Sequence, residues 1–166
     1  MRETQEREFD EFVLARQQKL LRTAFLLCGD WHLAEDLTQN ALAKVYLAWN
    51  RVQRVESVEA YVHRVLFRTY IDTYRRRRKQ EILSAAVPET AGVEPASDVR
   101  MALLTALGKI TPRYRAVLVL RFWEDWSVGD TADALGISTG TVKSHTHRGL
   151  EQLRSVLGDQ VLDFVL

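Results

Sequence analysis

Seven Lys or Arg residues lie between Ala60 and Gln80 against a single acid, Asp72, and five of them form the run Arg75, Arg76, Arg77, Arg78, Lys79. A cation cluster of this density is suited to phosphate oxygens. At 100° per residue, Arg64, Arg68, Arg75 and Lys79 fall within roughly a 60° arc, so on a helix they make one basic stripe. Tyr61 precedes the stripe, and Trp49 and Tyr70 are near in sequence. An aromatic face beside such a stripe can stack an unpaired base. Aromatics at helical spacing usually belong to a core, and of the three only Tyr61 is assigned to stacking.

A second set of polar residues sits near the C-terminus, in DTADALGISTGTVKSHTHRGLEQLR. If Val142, Thr146, Gly149, Leu150 and Leu153 face inward, then Thr141, Lys143, Ser144, His147 and Arg148 lie on the exposed side. Their types suit hydrogen bonds to phosphates and base edges in a major groove. A third set, Glu35, Asp36, Gln39 and Asn40, forms a polar stripe opposite Leu33, Leu37 and Ala41, able to pair with basic residues on a helical partner. No catalytic constellation competes with these. His32, His63, His145 and His147 have no metal-ligand spacing, and neither a phosphate-binding glycine loop nor a nucleophile motif occurs. No catalytic residue, metal or cofactor is expected. The single cysteine, Cys28, reads as a small apolar residue rather than a redox centre.

The elements that must hold these residues are helices. Phe9, Phe12, Val13, Leu20, Ala24 and Leu27 recur at three- and four-residue steps, and Gly29 stops that helix. Asp30 caps a second, whose stripe Leu33, Leu37, Ala41, Val45 and Ala48 runs to Trp49. The polar connection from Asn50 to Glu56 reads as a loop, and Ser57 caps a third helix running into the arginine run. From Leu83 to Asp98 prolines, glycine and small residues break any period, and between Glu81 and Val99 there is no basic residue. Helical signals resume at Val99 to Leu107 and again at Thr111-Pro112, an N-cap followed by proline. Ser127-x-x-Asp130 opens a short helix that Gly136 closes, and Ser138 opens the last. The turn at Leu135-Gly136-Ile137 between the last two makes a helix-turn-helix. The expected fold is all-α, with two small helical domains over residues 1–82 and 98–166 joined by a flexible linker at 83–97, the C-terminal one a helix-turn-helix.

A chain of 166 residues, 46% hydrophobic, suffices for such a core. No stretch approaches the length of a membrane span, and the charged start MRETQEREFDEF lacks the apolar run of a signal peptide, so a cytoplasmic protein without a membrane partner is expected.

The segment SVGDTADALGISTGTVKSHTHRGLEQLR resembles the fourth conserved region of extracytoplasmic-function (ECF) sigma factors of bacterial RNA polymerase. DWHLAEDLTQNALAKVYLAWNRV resembles their second, and EAYVHRVLFRTYIDTYRRRRKQE is similar to the part of domain two that melts and reads the minus-ten element. The segments come in the family's order, and the likeness covers the chain from about Phe9 to Leu157. Arg68 stands where many members have asparagine, and Thr131 where isoleucine is usual.

The resemblance implies a non-enzymatic promoter-specificity factor serving a dedicated regulon. It implies as partners promoter DNA, core RNA polymerase through its clamp helices and flap, and an anti-sigma factor. It implies that Glu35, Asp36, Leu37, Gln39 and Asn40 contact polymerase, and that Asn50, Arg51, Tyr61, Arg64, Arg68, Arg75 and Lys79 face minus-ten DNA. Thr141, Lys143, Ser144, His147 and Arg148 would face minus-thirty-five DNA. The rival reading is an autonomous helix-turn-helix regulator, which has no need of a second basic helix or an acidic docking stripe.

Overall fold

A computed structural model of the chain describes residues 2–84 and 98–158, with side chains placed for 2–79 and 100–158. Every regular element among them is helical: α1 Glu3–Cys28, α2 Trp31–Leu47, α3 Trp49–Val52, α4 Val58–Ser84, α5 Asp98–Gly108, α6 Pro112–Leu118, a π-helical turn Val119–Trp123, α7 Val128–Leu135 and α8 Thr139–Leu157. The expected linker falls almost wholly outside the described residues.

The stops and caps follow the local chemistry. Gly29 takes a left-handed conformation, φ 72°, that ends α1, and the Asp30 carboxylate accepts from the amides of His32 and Leu33 at 2.8 and 3.3 Å to start α2. Ser57 accepts from the Ala60 amide at 3.1 Å, Ser127 from Asp130 at 3.0 Å and Ser138 from Thr141 at 3.1 Å. Gly136, at φ 66°, closes α7. Helix α1 begins two turns before the first periodic residue, Phe9. Those turns are mostly exposed and so leave no apolar period, while Glu3 and Glu6 suit a helix start.

One reading needs correction. The connection from Asn50 is not all loop: residues 49–52 form α3, because the Ala48 carbonyl accepts from both Arg51 and Val52 and because Trp49 and Val52 are buried. The segment after Leu118 leaves the α-helical register for the π-helical turn, with the Glu124 amide bonded to the Val119 carbonyl at 3.0 Å.

In the N-terminal half α1, α2 and α4 surround a core that includes Leu27, Leu37, Val45, Leu66 and Phe67. Phe9 and Phe12 close its lower end against the Trp49 ring, with centroids 5.3 Å apart in both pairs. In the C-terminal half α8 lies on α6 with Gly149 at the crossing, where an added Cβ would sit 3.1 Å from Leu118 side-chain carbons and 3.3 Å from Tyr114 Cβ. Gly149→Val is therefore expected to overpack the crossing and cost about 1–3 kcal/mol, read as a lower midpoint in urea.

The two halves also pack on each other. Ala116, Val119, Leu120 and Ala134 belong to the same buried cluster as Leu20, Ala24, Leu66 and Phe67. Polar groups pin the seam. The Arg115 guanidinium, 4% exposed, donates through Nε to the Leu26 carbonyl at 2.7 Å, near the end of α1. The Glu124 carboxylate, 7% exposed, accepts from the Thr23 hydroxyl and lies 3.7 Å from Lys19 Nζ and 3.8 Å from His63 Nε2.

Candidate nucleic-acid interface

On α8 the predicted division of faces is present. Val142, Gly149 and Leu153 are buried, whereas Lys143, Ser144, His147 and Arg148 are exposed and Thr141 half-buried. The helix packs on α6 and α7 through its buried face, which leaves the polar one accessible. Arg148 Nη1 donates to the Tyr114 hydroxyl at 3.3 Å, which steadies the guanidinium without burying it, and His147 Nε2 lies 3.1 Å from Glu151 Oε1. Thr131, in α7, is fully buried and its hydroxyl donates to the Ser127 carbonyl at 2.8 Å, so the polar atom that replaces a usual isoleucine is satisfied.

His145, set aside in the sequence for want of metal-ligand spacing, is half-buried on α8 with its ring 5.0 Å from that of Tyr114. Burial, reinforced by the charges of Arg113 and Arg148, pulls its pKa below the ordinary histidine value. An unfolded chain then takes up a proton that the native one refuses as pH falls below about 6.5, so acidification through this window destabilises the fold. Denaturant midpoints measured on either side of it should differ less in His145→Gln than in the natural chain.

On α4 the basic stripe is partly engaged by the other half of the molecule. Arg64 donates from Nη2 to the Asp133 carbonyl of α7, and Arg68 Nη2 lies over Gly136. Arg68 and Arg75 line a groove of about 460 Å³ together with Arg113, Thr141 and His145, so the structure brings the two basic surfaces to one place. Lys79 is exposed. Tyr61 is half-buried and its hydroxyl accepts from Arg51 Nη2 at 3.3 Å, while Asn50 accepts from the Gln5 side chain. Trp49 and Tyr70 are core, each 4% exposed, in keeping with the choice of Tyr61 alone.

On α2 Glu35, Asp36, Gln39 and Asn40 are exposed along one side. Leu37 is not with them. It is buried among the core residues of α1 and α4, because it is the inward step of the same helical period, and it can only hold the stripe in place from below. Cys28 carries none of this chemistry: burial pushes its thiol up to about 11, and Sγ donates to the Asp30 carbonyl at 3.3 Å. Among the described residues no cluster of His, Cys, Asp or Glu could hold a metal, and no helix is long and apolar enough to cross a membrane.

Comparison with known proteins places this geometry. The Sigma-70 region 2 family matches residues 12–80 and the Sigma-70, region 4 family matches residues 100–153. The RNA polymerase sigma-E factor of Streptomyces coelicolor is 40% identical over 159 residues, covering 94% of this chain and 89% of that protein. The chain is a sigma factor of the ECF group. The ECF RNA polymerase sigma factor SigE of Mycolicibacterium smegmatis is 33% identical to this sigma factor over 160 residues, or 90% of the chain and 61% of that protein. The fold is shared with the sigma factor RpoE of Bartonella quintana, solved in complex with the anti-sigma factor NepR. The TM-score is 0.77 at 23% identity, over 90% of this sigma factor and 96% of that chain. Region 2 thus spans α1 to α4, with the basic stripe, and region 4 carries the helix-turn-helix of α7 and α8.

Proposed function

We propose that this sigma factor divides promoter recognition between its two basic surfaces and docks on core polymerase through α2, acting in the cytoplasm without catalysing a reaction itself. In this reading residues 1–82 and 98–166 work as separate units joined through 83–97. Thr141, Lys143, Ser144, His147 and Arg148 read the minus-thirty-five duplex. Asn50, Arg51, Tyr61, Arg64, Arg68, Arg75 and Lys79 hold the opened minus-ten strand, and Glu35, Asp36, Gln39 and Asn40 meet the clamp helices, with the flap engaging the C-terminal unit. An anti-sigma factor is a further partner, as it is for the Bartonella protein.

The observation that carries the reading is the presence of two separate cation-bearing helices, one of them with an aromatic beside it, on a chain that also presents a one-sided acid and amide stripe. An operator-binding regulator needs only the first. The test is assembly: Asp36→Arg places a cation where the partner's cations would lie, at an exposed site where helix content is unaffected. Pull-down of core polymerase should fall by about tenfold, as for a misplaced charge at an interface. Undiminished pull-down would remove α2 as the docking surface, and tight promoter binding by the purified protein alone would be the behaviour of an autonomous regulator.

A further inference from the structure

The run Arg75 to Lys79 does not face one way. Arg75 lines the groove shared with α8, whereas Arg77 and Arg78 lie at the rim of a different cleft, about 190 Å³, between the end of α1, α4 and the start of α6. Arg115 and Thr73 line the same cleft, and each brings a buried polar atom without a partner: Arg115 Nη2 and Thr73 Oγ1. Of the buried side-chain polar atoms without a partner, these two line one cleft. Thr38, Thr69, Thr131 and Thr146 all donate their hydroxyls to the carbonyl four residues back, and Thr73 does not. Arg115 satisfies only Nε on the Leu26 carbonyl, where the negative end of the α1 dipole offsets part of its charge.

The remaining charge has no counterpart. No carboxylate lines the cleft among the described residues, and neither Arg77 nor Arg78 has an ion-pair partner among them. The groups that act electrostatically on Arg115 are the Tyr70 phenol and the Cys28 thiol, which burial holds protonated, at about 12 and about 11. A buried cation that lacks an anion is costly. Three guanidiniums and a hydroxyl converging from two sides of a small cleft are the donor set of a multiply charged oxyanion, because each guanidinium presents paired N–H groups to two oxygens.

We infer that this cleft binds a phosphoryl group, held by Arg115 and Thr73 within and by Arg77 and Arg78 at the rim. A duplex backbone cannot reach it, since Arg115 lies beneath the surface; the source is a small molecule, either free phosphate or the phosphate chain of a nucleotide. Because α4 and α6 belong to opposite halves, the bound group ties them together.

The experiment uses the full chain. Its thermal midpoint is measured against inorganic phosphate, and separately against adenosine triphosphate, at ionic strength held constant with chloride. A ligand that binds only the native state raises the midpoint in proportion to its occupancy. Arg77→Gln with Arg78→Gln should weaken the response by about tenfold or more, as loss of charge-assisted hydrogen bonds does. Thr73→Val should weaken it without altering charge. Arg7→Gln with Arg76→Gln, which removes the same charge from outside the cleft, should leave the response intact. A tighter response to the triphosphate identifies a nucleotide as the source; an equal one identifies free phosphate. No saturable response to either probe, or an equal loss in the Arg7/Arg76 variant, overturns the site.

Discussion

Holoenzyme carrying Arg148→Ala is expected to bind minus-thirty-five duplex roughly 5- to 150-fold more weakly, the equivalent of about 1–3 kcal/mol for one base-reading side chain. Arg148 is exposed, and its hydrogen bond to Tyr114 steadies the guanidinium without burying it. If the contact is to a phosphate instead, the loss will be uniform across sequences and the salt slope will shrink by about 1. Tyr61→Ala should behave differently. Its ring lies in the other half, beside Arg51, and stacks only once strands part, so closed-complex affinity should stay within about twofold while opening slows by the equivalent of about 1–3 kcal/mol of stacking. A premelted promoter should rescue the Tyr61 variant and leave the Arg148 variant impaired. Permanganate footprints and binding curves that show one shared defect, relieved equally by premelting, would contradict this division of labour.

The second large effect is expected at Glu124. Its carboxylate is almost fully enclosed in a nest made by the N-terminal half, where Thr23 donates to it and Lys19 and His63 stand close by. Glu124→Lys puts a buried cation against Lys19, and the nearby acid Glu59 already bonds Lys19 at 3.0 Å. Leaving such a charge uncompensated costs about 3–5 kcal/mol. The cheapest relief is for the seam to part, so small-angle scattering should show an expanded particle while helix content is retained. Glu124→Gln keeps the shape and one acceptor and should expand little. An unchanged radius in the lysine variant would mean that apolar contacts alone hold the halves together.

Much of the architecture was legible because short-range signals set it. Asp30, Ser57, Ser127 and Ser138 each cap the helix they announced, and Gly29 and Gly136 adopt the left-handed conformation that ends one. The exposed faces of α2 and α8 were legible for the same reason, since a helical period tells inside from outside. That period also places Leu37 inside, and its inclusion with the docking residues gave the family likeness precedence over the helix. The seam was not legible. Arg115 and Glu124 are local anomalies, a cation followed by the apolar run AVLVL and an acid following FW, but only the packing of distant elements gives them partners in Leu26, Thr23 and Lys19. The engagement of Arg64 with Asp133 is equally long-range, and a stripe computed from angles treats every cation on it as free.

The π-helical turn at Val119–Trp123 makes the seam sensitive to chain length as well as to side-chain identity. Winding one surplus residue into a helix rotates everything beyond it by about 100° relative to an uninterrupted α-helix. Glu124 is the first residue past that offset, and its direction toward Lys19 and His63 depends on it. Deleting a single residue here would remove no important side chain yet re-index the segment, swinging the carboxylate about a quarter turn out of its nest. The same rotation would misdirect Trp126, whose ring sits 4.9 Å from His63. In this stretch the spacing of the residues is itself a structural parameter, one that substitutions cannot probe and insertions or deletions can.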